Sequence, residues 1–111
     1  MIEKTIFQNR LGIAITYWIG QDAQDNFDIL DQADPDDLWF HVYNAPSCHV
    51  IAHLPVKIDR KDLRWIKTQG AVLCRDKTKT KTKPQIMCAK VKDVSKTDRV
   101  GQVHVQNFSL I

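Results

Sequence analysis

Between Pro35 and Leu54 the chain alternates apolar and polar positions twice, with a short polar break between the two runs. In the first run Leu38, Phe40 and Val42 fall on one side, and Trp39, His41 and Tyr43 on the other. In the second, Cys48, Val50, Ala52 and Leu54 share a side, and His49, Ile51 and His53 take the opposite one. A period of two marks β-strands. Asn44-Ala45-Pro46-Ser47 between the runs is rich in turn formers, so the pattern predicts a hairpin. Burial selects its register, because a slip of one residue would send a whole apolar set to water. Keeping the apolar sets together pairs Phe40 with Val50 and Val42 with Cys48, and sets His41 opposite His49 and Trp39 opposite Ile51. One face is then core, and the other gathers Trp39, His41, His49 and His53 beside Asp37.

Gly12 to Ile19 is rich in β-branched and aromatic residues and predicts a strand closed by Gly20. Before it, Ile6 and Phe7 predict an edge strand. Residues 21–30 read as a polar loop leading into a short helical turn with Asp28 as N-cap, and Asp34-Pro35 stops any helix. From an N-cap at Asp59, Leu63, Ile66, Gly70 and Leu73 recur at helical spacing to about Cys74, with Lys61, Arg64 and Lys67 on another face. Gly70 weakens such a helix by about 1 kcal/mol relative to alanine unless it admits a close neighbour. Arg75 to Pro84 holds an alternating Lys-Thr tract without an apolar member and predicts a flexible basic loop. Gln85 to Val94 predicts a strand broken by a bulge, Arg99 to Gln102 a turn, and Val103 to Phe108 a last strand. The order implies an α+β fold: a mainly antiparallel sheet with the W-F-H hairpin at its centre and one principal helix packed on the Phe40 face.

At 111 residues the chain predicts a single domain over 1–111. No apolar run approaches the ~20 residues of a membrane span, and the N-terminus lacks the features of a signal peptide, so the expected location is cytoplasmic. Cys48, Cys74 and Cys88 show no C-x-x-C spacing, which counts against a disulfide framework or a cysteine zinc site. The net charge of +3 conceals an asymmetry, −5 over residues 1–58 and +8 over residues 59–111. A basic half on a folded domain marks a polyanion-binding surface or a solvated face. Motifs of serine hydrolases, P-loop NTPases, dinucleotide enzymes and H-E-x-x-H metalloproteases are absent. His41 and His49 as cross-strand neighbours, with Asp37 and His53 as the next pair, have some merit as metal ligands, but no ligand motif accompanies them, and the sequence predicts no metal and no cofactor. Nucleic-acid binding draws on three features together: lysines for phosphate, Trp39 and Tyr43 for stacking, and His41 and His49 as donors. Two other classes compete with it. One is a nucleic-acid enzyme using His41 and His49 as an acid–base pair, and the other a protein-interaction module docking on an acidic partner.

The pattern G-Q-D-A-Q-D-N-F-D-I-L, then P-D-D-L-W-F-H-V, P-S-C-H-V, a helix, and K-V-K-D-V-S-K followed by V-G-Q-V resembles the NFACT-R domain, an RNA-binding module of fibronectin-binding-like and ribosome-associated quality-control factors. The resemblance covers about residues 12–105, and D-x-W-F-H with S-x-H-V is its most specific part. By position, the signature residues fall on Gly20, Asp22, Asn26, Asp37, Trp39, His41, Ser47, His49, Lys96 and Gly101. The chain departs from the family at Gln21, where a basic residue is usual, and around Ser47, where a glycine is usual. The larger members also carry an N-terminal domain and a coiled coil. Neither is seen here, so the resemblance implies the module's RNA-binding role and not the whole quality-control function. It implies a non-catalytic RNA binder, with tRNA or a tRNA-like element favoured, ribosome association a further implication, and DNA an alternative ligand. Asp37, Trp39, His41, Ser47, His49 and Lys96 would form the contact face with Lys77, Lys79, Lys81 and Lys83. Gly20, Asp22, Asn26 and Gly101 would be structural. In this reading Asp37 orients an imidazole and raises its cationic fraction.

Overall fold

The computed structural model describes residues 1–8, 12–55, 57–78 and 83–111. The two alternating runs form β-strands at Leu38–Val42 and Val50–His53, which pair antiparallel with Phe40 opposite Val50 and Trp39 opposite Ile51, the register that burial selects. They are β3 and β4 of a six-stranded sheet. β1 (Ile2–Gln8) and β2 (Ile13–Ile19) precede them, and β5 (Ile86–Lys90) and β8 (Ser109–Leu110) follow. The order is β1-β2-β4-β3-β5-β8, with every neighbouring pair antiparallel. The predicted edge strand thus covers all of Ile2–Gln8, because its alternate residues Ile2 and Ile6 pack against the core.

The principal helix, α2, runs Arg60–Lys77, with the Asp59 carboxylate accepting from the Asp62 N–H at 3.0 Å. It lies across the Phe40 face, where Ile66, Ala71, Leu73 and Cys74 join Ile15, Tyr17, Phe40, Val50 and Ile86 in one core. Gly70 is where helix and sheet meet. A Cβ there would lie 2.3 Å from the Phe40 ring, so the glycine does admit a close neighbour. The helix outlasts the expected end at Cys74, which removes residues 75–77 from the predicted loop.

The opposite face is covered too, and this departs from the sequence reading. Helix α1 (Ala23–Gln32) begins well before the expected turn, with Asp22 as its N-cap in place of Asp28. After β5 a 3-10 turn at Val91–Asp93 takes the place of the expected bulge. It leads into β6 (Val94–Lys96), which pairs with β7 (Val103–Val105) as a separate two-stranded ribbon. Ile29 and Leu30 of α1 close over Trp39, Ile51 and Ala89 in a second core, flanked by Val94, Val103 and Val105 of the ribbon. Of the predicted last strand only Val103–Val105 is extended, as β7, and β8 lies beyond its expected end at Phe108. Among the described residues no helix is long and apolar enough to cross a membrane.

Candidate functional site

On the second face Asp37, just before β3, is followed by Trp39 and His41 within it, and His49, just before β4, by Ile51 and His53 within it, in the reverse direction. Antiparallel pairing therefore makes two clusters. His41 and His49 meet at the turn end of the hairpin, and Asp37 and His53 at its open end.

At the turn end three rings interlock. His41 stacks on Trp39 with centroids 5.6 Å apart and planes 8° from parallel. His49 stands edge-on to both, at 5.3 Å from Trp39 and 5.0 Å from His41. Trp39 Nε1 donates to His49 Nδ1 at 3.1 Å, which leaves the neutral His49 ring its proton on Nε2. His41 Nδ1 faces the Val42 carbonyl at 2.6 Å and must donate, so its Nε2 is an acceptor. Burial pushes His49 down to about 3, with the neighbouring His41 adding to the shift. Burial also lowers His41, although the Val42 carbonyl opposes this. The pair is neutral at ordinary pH.

These positions correct two expectations. Trp39 is 1 % exposed, sealed beneath α1 and with His41 against its ring, so it offers no open face for a base. Asp37 does orient an imidazole, but that of His53, at 2.9 Å, and the His41–His49 pair is shifted away from the cationic form. Asp37 is itself buried, at 1 % exposure, and also accepts from the N–H groups of Asp34 and Leu54, both at 2.9 Å.

Above the ring cluster opens a cleft of about 520 Å³. Its floor is Trp39, His41, His49 and Met87. One wall is the β3–β4 turn, Asn44 to Ser47, and the other is the β6–β7 turn and strand from Gly101 to Val105. Gln102 and His104 are exposed on that second wall, and the sequence reading missed both. Their signal was the alternation V-G-Q-V-H-V, which sets Gln102 and His104 opposite Val103 and Val105. Ser47 shapes the first wall, accepting from the Val42 N–H at 3.1 Å and donating to the Cys48 carbonyl at 2.9 Å.

The remaining signature residues hold the frame. Gly20 donates to the His49 carbonyl at 3.0 Å, while Asn26 Oδ1 accepts from the His49 N–H at 3.2 Å. A Cβ on Gly20 would sit 2.1 Å from that Asn26 oxygen. Gly101 has φ +85° and packs its backbone against Ala23 at the start of α1. Lys96 is ion-paired with Asp31 and lies 5.0 Å from the centre of the Phe27 ring, which ties β6 to α1. Lys77, in the last turn of α2, and Lys83 are exposed, whereas Lys79 and Lys81 lie outside the described residues.

Architecture and cleft together define an α+β domain with a largely antiparallel sheet covered on both faces. The sequence matches no protein-family model and no curated protein. Among solved structures, the C-terminal part of the fibronectin/fibrinogen-binding protein from Streptococcus suis is similar, with a TM-score of 0.79 at 18 % identity. The match covers 98 % of this chain and 44 % of that one, so the chain spans less than half of its neighbour's length. The fold is thus shared with a fibronectin-binding-like protein.

Proposed function

We propose that this protein is a non-catalytic RNA-binding module that takes tRNA or another structured RNA at the end of the sheet where the cleft opens. The supporting observation is where cationic side chains lie relative to the cleft. Cys74, near the end of α2, donates to the Cys48 carbonyl at 3.8 Å, and Gln85, just before β5, accepts from the Tyr43 N–H at 2.9 Å. The segment that bears Lys77 and Lys83 therefore leaves and returns beside the β3–β4 turn. The Cys48 thiol is drawn below its ordinary value, first by the Cys74 thiol and also by the charge of Lys77. Among the described residues Lys77 and Lys83 have no ion-pair partner, whereas Lys90 and Lys92 pair with Asp36. Unpaired cations can exchange counterions for phosphates, and the cleft offers His104, Gln102 and the His41 edge as polar groups on a rigid frame. A neutral, buried His49 already engaged by Trp39 argues against an acid–base pair, because one member would need its proton near neutrality.

A salt titration of RNA affinity tests this reading. Replacing Lys77 and Lys83 with glutamine should weaken all RNAs alike and lower the salt slope by roughly 0.7–0.9 per lost phosphate contact. His104→Ala and Gln102→Ala should reduce the preference for structured RNA over a generic single strand without changing that slope. The RNA should remain intact with or without chelator. A second reading, protein docking at the same cleft, is supported by the neighbour's description as a fibronectin/fibrinogen-binding protein. Protein purified free of nucleic acid, with no measurable RNA affinity at low salt, would favour the second reading over the first.

A further inference from the structure

We propose that Asp34, Asp37 and His53 form a binding site for a divalent transition-metal ion of the Zn²⁺ type, at the opposite end of the hairpin from the cleft. Each residue offers one ligand atom, and the three lie within 4.8 Å of one another. His53 Nδ1 is 2.9 Å from Asp37 Oδ2 and 3.8 Å from Asp34 Oδ2. Ligands bound to one ion at about 2.0–2.2 Å stand roughly 3–3.5 Å apart. His53 Nδ1 thus stands within a few tenths of an ångström of that spacing from both carboxylates, and the exposed Asp34 side chain is free to swing toward the ion.

The two inner ligands are already oriented. Asp37 is buried and fixed by a backbone N–H on each oxygen, from Leu54 on Oδ1 and from Asp34 on Oδ2. The His53 ring stacks on Trp18 with centroids 5.1 Å apart, and Trp18 Nε1 is in turn anchored on Glu3 at 2.9 Å. Such outer contacts are what hold metal ligands in place. Charge points the same way. Among the described residues no lysine or arginine pairs with Asp34 or Asp37, and His53 is the only cationisable group within ion-pair distance. A buried carboxylate next to a second carboxylate is costly without a counter-charge, and a divalent ion supplies one.

One imidazole and two carboxylates suit Zn²⁺, Co²⁺ or Ni²⁺ better than Ca²⁺ or Mg²⁺, which favour all-oxygen shells. On binding, the ion takes the Nδ1 lone pair of the neutral His53 ring, whose single proton then sits on Nε2. The alternative is that Asp37 and His53 form a hydrogen bond and nothing more. The site does not include the His41–His49 pair, and it departs from the sequence reading, which predicts no metal at any of these residues.

The test uses the untagged protein, stripped with chelator and titrated at neutral pH with Zn²⁺ by calorimetry and with Co²⁺ by visible absorption. One ion per chain is expected, with a Co²⁺ ligand-field spectrum. His53→Ala and Asp34→Asn should each lower the affinity at least about tenfold, the scale on which lost support of a metal site is felt. His41→Ala should leave affinity and spectrum unchanged, and circular dichroism should confirm that all three variants are folded. Absence of one-to-one binding overturns the proposal, as does binding that survives both His53→Ala and Asp34→Asn or is lost on His41→Ala.

Discussion

At Gly70 two effects of a single methyl group oppose each other. Alanine in mid-helix would favour α2 by about 1 kcal/mol. Its Cβ would also lie 2.3 Å from the Phe40 ring, and overpacking of this sort costs about 1–3 kcal/mol. Phe40 is fully buried between sheet and helix and has little room to yield, so Gly70→Ala should be a net loss. A lower urea midpoint with unchanged m-value is the expected reading, and a higher midpoint would show that the ring moves aside. His49 governs a different response. Burial keeps the folded ring neutral down to about 3, whereas the unfolded chain takes up the proton near the ordinary 6.5. Above that upper value both states are neutral, and this residue adds no pH dependence. Between the two values only the unfolded chain binds the proton, so stability falls as pH drops, by up to about 1.4 kcal/mol per pH unit. His41, lowered by burial as well, steepens the same limb. Urea melts across this window should show the slope in wild type and a shallower one in His49→Gln. Equal slopes would mean that His49 is not the group responsible.

Among the elements, α1 is the most exposed to a single change. Its start depends on the Asp22 carboxylate, which accepts from the Asp25 N–H at 2.8 Å, while the Asp25 carboxylate accepts from the Gln21 N–H at 3.0 Å. Asp22→Ala should cost about 1 kcal/mol and speed hydrogen exchange at Asp25 and Asn26 ahead of the rest of the chain. Protection unchanged at those amides would show that packing on Gly101 holds the helix without its cap. α1 was only partly legible because Phe27, Ile29 and Leu30 give too short an apolar stripe to place its beginning. β3, β4 and α2 carry long alternating or helical patterns, so their register, N-cap and buried face were readable residue by residue. The site was legible in its parts and not in its assignment. Alternation puts Trp39, His41 and His49 on one face but cannot say that α1 and the β6–β7 ribbon cover that face. Each ribbon strand has only three residues, and its burial depends on Trp39 beneath it, a contact no local pattern announces.

For the molecule as a whole, two cores on either side of one sheet mean that neither face of β3 is spare. Trp39 on one side and Phe40 on the other are each about 1 % exposed or less. Trp39→Ala should therefore behave as a core truncation and cost about 3–5 kcal/mol, a large part of the stability of a small domain. Equilibrium unfolding in urea measures this. A loss below about 1 kcal/mol would mean that α1 collapses onto the vacated space or was never tightly packed there.

The strand order carries a consequence for how quickly the chain reaches this state. β1 with β2, and β3 with β4, are neighbours in sequence and can zip up locally. The sheet is not finished by adding such hairpins end to end. β4 lies between β2 and β3, with Trp18 set against Ile51, and β5 must cross back over α2 to set Met87 against His41. Each of these pairings closes a loop of several dozen residues before its contacts return any free energy, which puts the barrier to folding at the docking of preformed hairpins. Refolding in milliseconds to seconds is the time scale of such non-local sheets. Substitutions at the β2–β4 seam should slow it more than equally destabilising ones within the β1–β2 hairpin.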